Sequence, residues 1–181
     1  MPRRHPVPRL WLMTDERMGD ALWAAIDRLP RGAGVIVRHY GRPIEERRAL
    51  LARVERIGRR RGLVVLGSAG LIGSGGTHNA ARGGGLRTRS AHDRRSAVAA
   101  ARAGADAVFV SPVFATRSHA GARSLGPVRL GLMIRGISIP VIALGGMTAT
   151  RMRSLAPLSI HGWAAIDAWM APRQKRKAVP T

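Results

Sequence analysis

The amino-acid sequence predicts an α/β fold class with a parallel sheet, and three observations predict it. Two short runs, Ala107–Val110 and Val141–Leu144, are apolar and rich in β-branched residues, too short for helices and apolar on both faces, as strands buried on both sides must be. Each stops at small or hydroxyl residues, Ser111-Pro112-Val113-Phe114-Ala115-Thr116 after the first and Gly145-Gly146-Met147 after the second, which is how a parallel strand delivers a binding loop at its carboxyl end. Between them, residues 126–136 have the length of a crossover helix.

The same alternation runs along the chain. Residues 10–14 predict a first strand, and residues 20–29 a helix with Leu22, Trp23, Ile26 and Leu29 on one stripe. Residues 34–39 predict a second strand. Residues 44–61 give the clearest helix, with Leu50, Leu51, Val54 and Ile57 inward and Glu45, Glu46, Arg47, Arg48 and Arg59 outward. From residue 63 to 86 there is one apolar strand, residues 63–66, followed by Gly67-Ser68-Ala69-Gly70, Gly73-Ser74-Gly75-Gly76 and Gly83-Gly84-Gly85. Glycine at this density opposes helix, so the third and fourth helices are expected to shrink to turns or loops. Residues 93–103 are alanine-rich and helical, with Asp93 placed to cap them; residues 148–155 form a short helix that Thr148 can cap; residues 166–170 open the last.

With 181 residues, the chain has room for one core and no boundary that marks a second. Its formal net charge is +21, carried by arginine apart from Lys175 and Lys177. Clustered basic residues are the usual footprint of nucleic-acid binding. Here much of the charge falls on outer helix faces, no aromatic-interleaved basic motif accompanies it, and nucleic acid is the minority reading. The absence of cysteine excludes disulfide and thiolate chemistry. The first residues are basic but lead into no signal-type apolar core, and no apolar run is long enough to span a bilayer, so a cytoplasmic protein without membrane association is expected. Residues 1–9 read as a basic amino-terminal extension and residues 171–181 as a basic disordered tail.

Several segments carry a family resemblance. Ser-Pro-Val-Phe-Ala-Thr-Arg-Ser at 111–118, Leu125-Gly126, the run from Ile137 through Pro140 to Gly145-Gly146-Met147, and Gly162-Trp163-Ala164-Ala165-Ile166 resemble the thiamine phosphate synthases and their TenI-type relatives. Leu12-Met13-Thr14-Asp15, Val35-Ile36-Val37-Arg38, Gly76-Thr77-His78 and Arg89-Ser90-Ala91-His92 continue the resemblance upstream in the family's order. It implies a single (β/α)8 TIM-type barrel over residues 10–170, abbreviated around the third and fourth helices. A barrel of this kind usually needs about 200 residues or more.

The resemblance also implies a reaction, the joining of a pyrimidine methyl pyrophosphate to a thiazole phosphate, and roles for residues. Arg38 stands at the pyrophosphate arginine and His119 where the family has a lysine. Ser90, Thr116, Ser118, Gly145, Gly146, Gly162 and Ala164 stand where substrate is held. The family places Mg²⁺ on an Asn-Asp pair after strand three and an Asp after strand four. Here those regions read Val65-Leu66-Gly67-Ser68 and His78-Asn79-Ala80-Ala81-Arg82-Gly83, with no carboxylate, so no metal ligand is assigned. The TenI catalytic histidine falls on Pro112. The alternatives are a TenI-like thiazole tautomerase, a non-catalytic thiazole-phosphate sensor, and a basic nucleic-acid-associated protein. The expected partners are phosphorylated thiazole and pyrimidine ligands, with a homo-oligomer left open.

Overall fold

The computed structural model describes residues 6–81, 83–116 and 123–170. Eight parallel strands close into a barrel in sequence order: β1 (Leu10–Met13), β2 (Gly34–Val37), β3 (Val64–Ser68), β4 (Gly76–His78), β5 (Leu86–Ala91), β6 (Ala107–Val110), β7 (Val141–Leu144) and β8 (Gly162–Ala165). β1 closes the circle by pairing with both β2 and β8. Six α-helices surround the barrel among the described residues: α1 (Ala21–Arg28), α2 (Ile44–Arg61), α3 (Arg94–Arg102), α4 (Gly126–Ile134), α5 (Ala149–Ser154) and α6 (Asp167–Met170). Asp93 caps α3 in a reciprocal capping box with Ser96, and Thr148 caps α5.

Among the described residues no helix follows β3 or β4, and the glycines explain what replaces it. A Cβ at Gly73 would lie 2.5 Å from the Val65 carbonyl oxygen, and one at Gly75 would lie 2.9 Å from the same atom. The connection therefore lies backbone on backbone against the barrel wall. Gly75 N–H donates to the Val65 carbonyl at 2.8 Å, and Leu86 N–H to the Gly75 carbonyl at 2.8 Å. Helix-breaking residues here become the covering layer itself.

Inside the barrel, Trp11 and His78 each meet Phe109 edge-on with ring centroids 5.2 Å apart. Trp11 fits because its β2 neighbour is Gly34, where a Cβ would fall 2.1 Å from the indole. His78 is buried, with Nδ1 2.9 Å from Thr88 Oγ1 and Nε2 3.0 Å from Ser90 Oγ. Burial, with the Arg38 and Arg89 charges behind it, pushes its pKa down to about 3. The folded state thus holds His78 neutral while the unfolded chain takes up a proton near pH 6.5. Its contribution to stability is full above about pH 6.5 and is lost as the pH falls towards 3, at about 1.4 kcal/mol per unit. The thermal midpoint is expected to drop between pH 7 and pH 4, and His78→Gln to flatten that drop; an unchanged slope in the variant would place the acid sensitivity elsewhere.

Two expectations are corrected. Arg47, placed on the outer face of α2, is buried: it donates from Nε to the Arg38 carbonyl (2.9 Å) and from its Nη atoms to the carbonyls of Ser68 (2.7 Å) and Ala69 (3.0 Å). The inward stripe of α2 meets loop carbonyls at its first turn, so a five-donor guanidinium suits that place better than a hydrocarbon. Of residues 1–9, the described part, from Pro6, is no free extension. Val7 is buried and its carbonyl accepts from His161 Nε2, while the Arg9 carbonyl accepts from Trp163 N–H, closing the amino end of the barrel. Residues 171–181 lie outside the described residues.

Candidate functional site

At the carboxyl rim, the loops after β6, β7 and β8 enclose a cavity of 640 Å³, joined by Arg38 from β2 and His92 from β5. Its wall is mainly apolar, with Pro112, Ala115, Leu144, Met147, Ala165 and Ile166 contributing. The β7 loop is shaped by two glycines at φ +93° and +60°, a region that side chains disfavour. A Cβ at Gly145 would sit 2.8 Å from Pro112 Cα, and one at Gly146 2.3 Å from the Ala115 carbonyl oxygen. The two loops therefore touch through their backbones, and Phe114 N–H donates to the Gly145 carbonyl at 3.1 Å. Arg151, in the first turn of α5, donates to the Gly146 carbonyl and lies 5.0 Å over the Phe114 ring. Thr116, Thr148 and Asp167 complete the polar part of the wall.

Across the cavity, Arg38 is fixed before any ligand arrives. Its Nε donates to the Thr14 carbonyl (2.9 Å) and its Nη2 lies 3.3 Å from Asp15 Oδ2. Burial pushes the guanidinium down from its ordinary value and Asp15 opposes that, but an arginine this basic remains charged. Burial alone would raise Asp15; hydrogen bonds and charge from Arg17, with Arg38 behind them, hold it below the usual aspartate value. His92 is oriented by the β6 loop. Its Nδ1 lies 2.9 Å from the Ser111 carbonyl oxygen, which can only accept, so Nδ1 carries the hydrogen and the neutral ring keeps its lone pair on Nε2.

Arg38, Thr116, Gly145 and Gly146 thus line one cavity. Ser118 and His119 lie outside the described residues. Three expected positions are elsewhere. Gly162 opens β8 at its amino end, where a Cβ would meet the Arg9 carbonyl oxygen at 2.1 Å; it lets two chains pack and is far along the strand from the rim. Ala164 is a buried strand residue paired with Trp11 and Leu144, and the residues that reach the cavity are Ala165 and Ile166. Ser90 ties the β4 loop to β5, its hydroxyl between His78 Nε2 and Asn79 Nδ2 (3.1 Å), and forms no part of the wall. Arg151 lines the cavity although sequence reasoning did not select it, and His92, at the end of the fifth-strand motif, lines it as well. The signal for Arg151 was its place three residues after a helix cap, Thr148, that follows a glycine pair with one residue between.

The carboxylates do not make the expected Mg²⁺ site. Asp15 is engaged by Arg17 (2.8 Å) and Arg38, Asp93 caps α3, and Asp167 is the cavity's own carboxylate. Among the described residues no group of three or more His, Asp or Glu is arranged to hold a metal. The loops that would supply the ligands are the glycine-built connections after β3 and β4, and the residues present do not fit the ion.

Residues 85–169 match the family model described as thiamine monophosphate synthase. That stretch is similar to the thiamine monophosphate synthase family. It holds β5 to β8 and every cavity-lining residue except Arg38. Over 92 residues the chain is 39% identical to the thiamine-phosphate synthase of Geobacillus thermodenitrificans, covering 49% of this chain and 42% of that one. Over 81 residues it is 36% identical to a putative thiamine-phosphate synthase 2 of Aquifex aeolicus, covering 45% and 44%. The match thus spans under half the length of these curated relatives. A solved thiamine phosphate pyrophosphorylase from Pyrococcus furiosus superposes with a TM-score of 0.74 at 18% identity, over 91% of this chain and 88% of that one, a likeness of fold. The thiamine monophosphate synthase match begins at the strand after the two glycine-built connections and covers the half of the barrel in which every strand is followed by a helix.

Proposed function

We propose that the rim cavity binds a thiazole phosphate and that the chain is a thiamine-phosphate synthase-type transferase whose pyrophosphate side is reduced to arginine. The observation that carries this is the Gly145-Gly146 loop with Thr116 and Arg151 at one end of an apolar cavity, within the family-matched stretch. Backbone N–H groups, a hydroxyl and a guanidinium suit a phosphate, and the apolar wall suits a flat heteroaromatic ring. In the reaction, the bond from the pyrimidine methylene to pyrophosphate breaks and the leaving oxygen keeps the electron pair. The thiazole nitrogen then donates its lone pair to the methylene carbon. Arg38 meets the charge of the departing pyrophosphate, and His119 stands in for the family's lysine. A second reading, a TenI-like tautomerase, is favoured by His92, whose Nε2 is free of the Ser111 contact and suited to moving a proton.

Calorimetry with thiazole phosphate and its dephosphorylated alcohol tests the binding claim. The phosphate is expected to bind at least about tenfold more tightly, since charge-assisted hydrogen bonds are each worth ~1.5–3 kcal/mol. Equal affinities would remove the phosphate site from the account.

A further inference from the structure

Charge in this barrel is divided along its axis. Strands and helices run in opposite directions, so helix starts lie at the carboxyl rim and helix ends at the amino face. Asp15, Glu16 and Asp20 follow β1, Glu45 and Glu46 open α2, Asp93 caps α3 and Asp167 opens α6, all at the rim. Three rim arginines have acidic partners, Arg17 with Asp15 (2.8 Å), Arg42 with Glu46 (2.8 Å) and Arg48 with Glu45, while Arg94, Arg95 and Arg151 are in no ion pair among the described residues. At the amino face Asp27 lies 3.7 Å from Arg61, and Asp106 accepts from the Arg87 N–H at 2.8 Å.

The amino face has fewer carboxylates to answer its arginines. α2 ends in Arg59, Arg60 and Arg61, α4 is followed by Arg135, and Arg31 and Arg9 precede β2 and β1. Arg31 lies across Gly62, directly beside the end of α2. Arg9 lines two shallow clefts, one shared with Arg31 and the other with Arg135 and His161, so these positions form one arc. Arg9, Arg31, Arg59, Arg60 and Arg135 are exposed, and among the described residues none of them forms an ion pair. Helix dipoles favour cations in the last turn, where Arg59, Arg60 and Arg61 lie. They do not account for Arg9 and Arg31, which lie outside helices.

We infer that the amino face of the barrel is a docking surface for the phosphate backbone of nucleic acid, read without sequence preference. Guanidinium groups pair with phosphate in a bidentate fork, and an arc of them spaced around the amino end suits a repeating anion. The arc carries no exposed aromatic side chain for stacking on bases, which leaves backbone contact as the mode. This surface lies at the opposite end of the barrel from the cavity and does not depend on what the cavity binds.

Fluorescence anisotropy with a labelled mixed-sequence duplex of about 20 base pairs, as DNA and as RNA, tests it. Binding is expected to weaken about a hundredfold or more between about 50 and 200 mM salt. Replacing Arg31→Gln, Arg59→Gln and Arg60→Gln together is expected to weaken it at least about tenfold and to flatten the salt slope. Arg42→Gln, Arg48→Gln and Arg95→Gln together, the same charge change near the rim, is expected to leave it within about twofold. No binding by the unaltered chain at low salt overturns the inference. So does an equal loss in both triple variants, which would reduce the effect to net charge, and so does binding to anionic phosphatidylglycerol vesicles but to neither duplex.

Discussion

Gly146→Ala is expected to weaken thiazole phosphate binding about tenfold or more and to lower stability by about 2 kcal/mol. Gly146 holds φ +60°, which costs a side-chain-bearing residue ~1–2 kcal/mol. The added methyl would also stand 2.3 Å from the Ala115 carbonyl oxygen. That contact is with backbone, so relief requires the β6 loop to move, and the β6 loop carries Thr116 to the cavity wall. Gly70→Ala is the control. Gly70 has φ +86° but nothing near its missing Cβ, so it is expected to lose stability and leave binding unchanged. Isothermal titration beside thermal melting separates the two; equal affinity in Gly146→Ala and the unaltered chain would show that the glycine pair serves only the fold.

The second large effect concerns the metal. Synthase turnover is expected to be slow, to survive EDTA within about twofold, and to fall about tenfold or more in Arg38→Ala. A bridging divalent ion needs oxygen ligands in near-octahedral order, and the candidate carboxylates have other work. Asp15 is held by two arginines and Asp93 by the start of α3. Pyrophosphate charge is then met by Arg38, already fixed by Thr14 and Asp15 and therefore losing little freedom when ligand arrives. A robust turnover abolished by chelation would mean that a carboxylate such as Asp15 leaves its arginines to bind metal.

The fold was legible wherever burial on both faces forces an uninterrupted apolar run, as in Ala107–Val110 and Val141–Leu144, and wherever composition rules out an alternative, as in the glycine-rich stretch without helices. It was least legible where one residue type serves opposite ends of the molecule. Gly162 and Gly145 look alike in sequence, yet one admits the Arg9 backbone beneath the barrel and the other admits the Pro112 backbone at its rim. Arg47 read as an outward charge because periodicity reports which face is buried and is silent on whether carbonyls or hydrocarbon wait there. The same limit hid Arg151, whose place at the cavity goes with its contact to Gly146 five residues upstream; His92, legible at a strand end, is oriented by Ser111 across a whole crossover.

The central claim is that a phosphate is held over the Gly145-Gly146 loop with its ring in the apolar part of the cavity. The structure of the chain soaked with thiazole phosphate tests this most directly. The account predicts phosphate density within hydrogen-bonding distance of the Gly146 N–H, the Thr116 hydroxyl or the Arg151 guanidinium, and the thiazole ring between Pro112 and Ile166. Phosphate density against Arg38 with the glycine loop empty, or a saturated crystal with no ligand at the rim, would contradict it.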